Sequence, residues 1–197
     1  MLNLLLSTAM DLMRAGKIPS VSEVAAAAKV SRATAYRYFP TRSALVAAVV
    51  DVSLGPVRAW ASESLDGKER LEQLFDATFP RFRDFEAPLR AALQLSQEHW
   101  LLSRAGELNE EQFKRGHRMT LLDRAASPLK GNLAPKTYQR LMHAASVIYG
   151  IEPYVVLKDM WGATDAETVA VTRWMLKALV DAALREAQAA GKKAKKA

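Results

Sequence analysis

The chain has 197 residues, half of them apolar, with no cysteine and a formal net charge of +7. This length can bury a substantial core, and the lack of cysteine excludes disulfides, thiolate zinc sites and cysteine nucleophiles. No apolar run reaches the roughly 18 residues that a membrane span needs, so we expect a protein of the cytoplasm without a membrane partner.

The positive charge is concentrated at the two ends of the chain. Residues 1–52 carry six basic and three acidic groups, residues 191–197 carry four lysines, and residues 53–190 carry eighteen groups of each sign. A neutral body with a basic head favours a polyanionic partner such as nucleic acid. The tail GKKAKKA has low complexity, and we expect it to be disordered and solvated.

The first predicted element is an amphipathic helix over residues 2–15. Its apolar residues recur at helical spacing, and Gly16 follows its last turn. The segment lacks the basic start of a signal peptide, and Asp11 and Arg14 follow its apolar residues at once. We expect this helix to pack across the two that follow it.

The stretch from residue 20 to 42, SVSEVAAAAKVSRATAYRYFPTR, predicts two short helices joined by a tight turn. Ser20 and Glu23 form the capping-box pattern ahead of an alanine-rich run. Residues 29–31 interrupt that run, Ser31 can cap the second helix, and Pro40 prevents its continuation.

The second of these helices has one basic and aromatic face, which carries Arg32, Ala33, Tyr36 and Arg37. Such a face suits a DNA major groove, because arginine can bond guanine at two atoms, alanine can contact a thymine methyl and hydroxyls can hold phosphates. The same pattern also suits a helical protein-interaction or scaffold module whose basic face is incidental. The spacing alone does not decide between these two functions.

The segment VSEVAAAAKVSRATAYRYFPTRSALVAAVV resembles the N-terminal helix-turn-helix of the tetracycline-repressor (TetR/AcrR) family of bacterial regulators. The match with the family signature runs in order through Tyr36, Tyr38, Phe39, Pro40 and Arg42. One departure is Lys29, which stands where the family usually has glycine, the residue that accepts a positive φ most easily. The resemblance implies a transcriptional repressor with a double-stranded DNA operator, a small-molecule effector and a homodimeric assembly.

By this resemblance, the residues that contact DNA lie on the second helix, at its cap and at the start of the next helix. They are Ser31, Arg32, Ala33, Thr34, Tyr36, Arg37, Tyr38 and Arg42. Arg32 and Arg37 are expected at base edges. Thr34, Tyr36 and Arg42 are expected mainly at phosphates, and the ring of Tyr38 either joins them or packs inward.

The rest of the chain predicts further helices and no strand, so we expect an all-α protein of about nine helices. Gly55-Pro56 should end or kink the fourth helix, Pro80 should bend the next, and a more polar helix is expected over residues 107–126. The predicted organisation is a helix-turn-helix domain at residues 1–42, a ligand-binding and dimerisation domain at residues 43–190, and the tail at 191–197.

The body helices offer aromatic side chains and three histidines for an effector pocket, as the resemblance implies. The candidate lining residues are Phe75, Phe79, Phe82, His99, Trp100, Phe113, His117, His143 and Tyr149. A mainly aromatic lining favours an apolar effector. The histidines lie on separate helices without metal-ligand spacing, and no phosphate loop or nucleophile motif occurs, so we expect no metal, no cofactor and no enzyme activity.

The last predicted helix, over residues 165–190, is apolar on two sides, so two surfaces must cover it. One is its own bundle, and we expect the other to be a second subunit, because the final helix pair resembles the dimer interface of TetR-like regulators. The predicted interface residues are Ile148, Val171, Trp174, Met175, Ala178, Leu179 and Ala182. In such a dimer, effector and operator are expected to compete through a rotation at Gly55-Pro56.

Overall fold

The structure is a computed structural model that describes residues 1–113 and 117–194, and no strand occurs among them. The α-helices are α1 Leu2–Arg14, α2 Val21–Ala27, α3 Arg32–Tyr38, α4 Arg42–Arg58, α5 Gly67–Asp84, α6 Glu86–Ala105, α7 His117–Ala126, α8 Pro135–Ile148, α9 Glu152–Tyr154 and α10 Asp165–Ala194. A 3-10 turn spans Ser127–Gly131 and a π-helical segment spans Val155–Met160. The predicted all-α fold is confirmed, with ten helices in the described ranges instead of about nine.

The described residues form two compact units. Residues 1–55 and 84–113 make up the first, and residues 56–83 and 117–194 make up the second. The first boundary along the chain falls between Gly55 and Pro56, inside α4. The predicted domain over residues 1–42 lies wholly in the first unit, which also contains α6, and its boundary after residue 42 stays a prediction.

Side-chain caps fix the starts of α2, α3 and α4. The Ser20 N–H donates to Glu23 Oε2 (2.7 Å) and the Glu23 N–H donates to Ser20 Oγ (3.2 Å), which is the predicted capping box. The Ser20 backbone and hydroxyl bonds lower the pKa of the Glu23 carboxyl. Ser31 Oγ accepts from the Thr34 N–H (3.0 Å) ahead of α3, and Thr41 Oγ1 accepts from the Ala44 N–H (3.0 Å) ahead of α4.

The core of the first unit joins the predicted DNA-binding helices to α6. Its buried residues come from α1, α2, α3, α4 and α6, and they include Leu5, Ala9, Val24, Ala25, Ala35, Phe39, Leu45, Val49, Ala91, Ala92 and Leu95. Each of them is at most 4% exposed. α6 is therefore part of the support on which α3 is held, which the sequence alone did not predict.

The second unit has a core of apolar side chains from α5, α7, α8, α9 and α10. α10 contributes Leu176, Val180 and Ala183, each buried, and packs against α8. Lys68 Nζ at the start of α5 donates to Asp181 Oδ1 in the middle of α10 (2.6 Å). None of the helices in the described ranges is both long and apolar enough to cross a membrane.

Two predicted segments differ from the structure. The helix expected over residues 107–126 begins only at His117 among the described residues, because Gly106 closes α6 in a left-handed conformation (φ 72°) and residues 107–113 are not helical. The tail expected to be disordered from residue 191 is helical as far as Ala194, because lysine and alanine are good helix formers. Residues 195–197 of that tail lie outside the described residues.

The turn between α2 and α3 holds Lys29 in a left-handed conformation, with φ of 56°. Its N–H donates to the Ala26 carbonyl (3.2 Å), and the Val30 N–H donates to the Ala25 carbonyl (3.0 Å), so the turn closes in the way that a glycine normally permits. A lysine Cβ in this region is crowded by the backbone and raises the free energy of the folded state.

We predict that Lys29→Gly stabilises the protein. Relief of the left-handed strain is worth about 1 to 2 kcal/mol, and the greater freedom of glycine in the unfolded chain offsets about 0.4 to 1 kcal/mol of it. Urea unfolding should show a net gain of about 1 kcal/mol. Ala26→Gly, at an exposed helical position, is the matched control and should lose roughly 0.5 to 1 kcal/mol. A loss for Lys29→Gly as well would show that the turn is not strained.

Candidate nucleic-acid interface

The outer face of α3 carries the predicted base-reading residues. On the inner side Ala35 is fully buried, and Phe39, which follows the helix, is 4% exposed. Arg32, Ala33 and Arg37 are exposed on the outer side, and Tyr36 lies with them at 43% exposure. The structure therefore places the predicted basic and aromatic side chains together on one open helical surface.

The two tyrosines of α3 have different neighbours. Tyr36 Oη lies 3.3 Å from Ser22 Oγ of α2, so a hydrogen bond between the hydroxyls orients the ring. Tyr38 is 38% exposed, and the Arg37 guanidinium carbon lies 5.8 Å from its ring centroid. The ring of Tyr38 thus faces solvent beside Arg37 and does not pack inward. Ser22, the second residue of α2, was missed at the sequence level.

The side chains of Ser31 and Thr34 form hydrogen bonds within the protein at the start of α3. Besides accepting from the Thr34 N–H, Ser31 Oγ lies 2.8 Å from Thr34 Oγ1, so the two hydroxyls bond to each other at the start of α3. Both remain at the surface, Ser31 exposed and Thr34 partly so. Their predicted contact with DNA stays a prediction.

Arg42, the predicted phosphate contact at the start of α4, is engaged within the protein. Its Nη1 donates to both carboxylate oxygens of Glu98 on α6, at 3.1 and 3.2 Å. The next residue, Ser43, places its hydroxyl 3.3 Å from Nε2 of the buried His99. Glu98 was missed because 56 residues separate it from Arg42 and no local pattern links them.

Two short helices joined by a tight turn, with an exposed basic face on the second, define the class of helix-turn-helix DNA-binding domains. Residues 5–49 match the model of a family described as bacterial regulatory proteins, tetR family. This match confirms the resemblance for the N-terminal helix-turn-helix domain and supports a DNA-binding transcriptional regulator. No curated protein and no solved structure matches the chain.

Four residues of the predicted effector pocket form a buried aromatic cluster in the second unit. Phe75, Phe79, Phe82 and Tyr149 pack with ring centroids 5.1 to 5.8 Å apart. Tyr154, which was not predicted, stacks on Phe79 at 6.2 Å. The Tyr149 and Thr78 hydroxyl oxygens lie 2.7 Å apart, and burial raises the pKa of Tyr149 to about 12. In this arrangement the rings fill the space between one another.

The other predicted pocket residues lie outside that cluster and are divided between the two units. In the first unit, His99 Nδ1 accepts from the Phe113 N–H (3.1 Å), and Trp100 is 53% exposed beside Arg104. In the second unit, His117 is exposed and His143 is exposed on α8. Arginine has no acceptor, so Arg58 Nη2 donates to His117 Nε2 (2.7 Å).

The predicted dimer-interface residues of α10 lie at the surface of the second unit. Trp174 is 71% exposed and Val171 37%, Ala178 and Ala182 are exposed, and Met175 and Leu179 are half-buried. Ile148 differs, because its side chain is 2% exposed and packs inside its own unit, so it is not available to a partner. Its neighbour Val147, which was not predicted, is 68% exposed on α8.

A shallow groove of about 230 Å³ lies between α8 and α10 in the second unit. Most of its lining is apolar, and the lining residues are Thr137, Arg140, Leu141, Ala144, Leu179, Ala182 and Ala183. Two of them, Leu179 and Ala182, belong to the predicted interface. Among the described residues, no group of three or more histidine, aspartate or glutamate side chains is arranged to hold a metal ion.

Proposed function

We propose that this regulator is a homodimeric repressor that binds a palindromic operator through α3 and is released by a small apolar effector. The observation that carries the DNA-binding part is the exposed face of α3, on which Arg32, Tyr36 and Arg37 surround the short side chain of Ala33. This shape allows the helix backbone to approach base edges while arginines reach guanine. The regulator acts where its operator lies, in the cytoplasm, and has no enzymatic role.

The proposed contacts separate into two kinds. Arg32 and Arg37 are exposed on the open face of α3 and are proposed to bond base edges, whereas Arg42 at the start of α4 is proposed to hold a phosphate. Base contacts carry sequence discrimination, and phosphate contacts strengthen binding to any sequence.

We predict that Arg32→Ala and Arg42→Ala weaken DNA binding in different ways. On an operator selected from a random duplex library, Arg32→Ala should lose about 1 to 3 kcal/mol and relax the preference at one base position. Arg42→Ala should weaken operator and random duplex by the same factor and lower the salt slope by about one. Fluorescence anisotropy at several salt concentrations measures both.

The control for these variants is Arg14→Ala, which removes a basic side chain from α1, outside the proposed contacts, where it pairs with Asp11 (2.9 Å). Its affinity should stay close to wild type. Equal losses for Arg32→Ala on operator and random duplex would refute base reading by Arg32. Indifference of the wild-type protein to duplex DNA at low salt would favour an interaction or scaffold module.

The dimer is proposed to form through the exposed apolar strip of α8 and α10. Val171, Trp174, Ala178 and Ala182 recur at helical spacing along α10, and Val147 is a further exposed apolar residue on α8. Symmetric pairing of two such strips removes this surface from water in both subunits at once, and a two-fold dimer matches a palindromic site.

We predict that Trp174→Glu dissociates the dimer. A tryptophan at the centre of an interface typically contributes at least about 2 kcal/mol, so the dimer Kd should rise by roughly 30-fold or more in sedimentation experiments. Met119→Glu, which places the same charge at a 70% exposed position on α7, is the matched control and should leave the dimer intact. A wild-type protein that sediments as a monomer at micromolar concentration would contradict this assembly.

Effector release is proposed to begin in the second unit. The aromatic cluster offers an apolar site whose polar anchors are the paired hydroxyls of Thr78 and Tyr149, and an effector would have to part the rings to enter. The chain then passes to the first unit inside α4, at Gly55-Pro56, where proline cannot donate a helical hydrogen bond. A rotation at this point would alter the spacing of the two recognition helices.

We predict that effector and operator weaken each other's binding by the same factor. A thermal-shift screen of small hydrophobic and aromatic compounds supplies the effector, and calorimetric titration with and without operator measures the coupling. Couplings of this kind are about 1 to 3 kcal/mol, or about 5-fold to 150-fold in affinity. Identical effector affinities in the two titrations would show that the regulator binds DNA constitutively.

A further inference from the structure

Arg42 is held by an internal carboxylate at the position where a phosphate is expected. Both partners lie in the first unit, where Arg42 begins α4 and Glu98 lies on α6. Their side chains are 28% and 42% exposed, so the pair is only partly screened by water. A DNA phosphate that approaches Arg42 therefore meets a guanidinium that already has an anionic partner.

The ion pair with Glu98 involves only one of the three guanidinium nitrogens of Arg42. A single nitrogen, Nη1, faces both carboxylate oxygens, in place of the parallel two-nitrogen fork that gives the strongest arginine pairs. The Arg42 Nε is buried and has no hydrogen-bond partner among the described residues, so a phosphate would have to bond the two Nη groups. A phosphate that bonds two guanidinium nitrogens would be a better partner, so the carboxylate can be exchanged for it.

The position of Glu98 is fixed by the same helix that supports the DNA-binding core. Leu95 of α6 lies one turn before Glu98 and is 1% exposed in that core. His99, the residue after Glu98, is 2% exposed and its Nε2 lies 3.3 Å from Ser43 Oγ. The Phe113 N–H donates to the other ring nitrogen, so Nε2 carries a proton, for which Ser43 Oγ and Glu110 Oε1 (3.5 Å) are the neighbouring acceptors. Two adjacent residues of α6, Glu98 and His99, thus contact the first turn of α4.

We propose that Glu98 is a built-in competitor of the DNA backbone for Arg42 and thereby sets the affinity of the regulator for DNA. The inference rests on the proposed phosphate contact of Arg42. Binding to DNA exchanges the Arg42–Glu98 pair for an Arg42–phosphate pair, and the released carboxylate turns to solvent. A displacement of α6 that changes the reach of Glu98 then changes DNA affinity without altering the face of α3.

The test is the affinity of Glu98→Gln for duplex DNA, measured by anisotropy on operator and on random sequence. The substitution keeps the shape of the side chain and removes its charge, so both duplexes should bind roughly 5-fold more tightly, as the loss of one partly exposed ion pair implies. In an Arg42→Ala background the same substitution should give no gain in affinity, because no guanidinium is left for Glu98 and the phosphate to compete for. This second comparison separates competition from a general change in charge or packing.

The matched control is Glu86→Gln, which makes the same charge change on α6, where Glu86 pairs with Arg90 (2.8 Å) and not with Arg42. It should alter DNA affinity less than Glu98→Gln does. If Glu98→Gln fails to fold, Glu98→Asp keeps the charge but shortens its reach, and it should still tighten binding about twofold.

Three results would overturn the inference while DNA binding stands: unchanged or weaker binding by a folded Glu98 variant, an equal gain for Glu86→Gln, or a gain that persists in the Arg42→Ala background. Absence of salt-dependent duplex binding by the wild-type protein would instead overturn the proposed function, and this inference with it. The two failures are therefore distinguished by the wild-type titration.

Discussion

The close approach of α3 to α2 is the constraint on which the DNA-binding surface depends. Ala35 of α3 is fully buried, and Val24 and Ala25 of α2 are at most 1% exposed. Such small side chains allow the two helices to lie close together, and tight interiors tolerate little added volume. A larger residue at position 35 would push α3 outward and tilt the face that carries Arg32 and Arg37. The identity of three inward residues therefore determines what the outward residues can reach.

The local signals of this region were predictable because they are short in sequence. The capping box at Ser20 and the cap at Ser31 each involve residues three apart, and both are found in the structure. The departure at Lys29 was also visible, since a lysine stands where glycine is usual. Its φ of 56° shows that the turn keeps the left-handed geometry although the residue is not glycine. Packing of the surrounding helices holds the strained turn in place.

The contacts that connect the DNA-binding helices to the rest of the first unit were not predictable from the sequence. Arg42 with Glu98 and Ser43 with His99 each join residues 56 positions apart, and nothing in their local pattern pairs them. The aromatic residues of the body were predicted as a pocket lining, because aromatic residues line pockets and cores alike. The structure packs four of them with Tyr154 into a continuous cluster. Whether an aromatic residue lines a pocket or fills a core therefore depends on tertiary packing.

α6 therefore supports the core beneath α3, and in our proposal its Glu98 also competes with DNA for Arg42. Leu95 and Glu98 are one turn apart on α6, so a shift of the helix that loosens the core also moves the carboxylate. A buried apolar contact resists such a shift over a short range only, whereas the charge interaction with Arg42 weakens gradually with distance. In the proposed mechanism, a movement of α6 that is small enough to keep the buried contacts still changes the distance between the Glu98 carboxylate and Arg42, and with it the availability of Arg42 for a phosphate. In this proposal, affinity for DNA is adjusted while the recognition helix stays folded and keeps its position on the core.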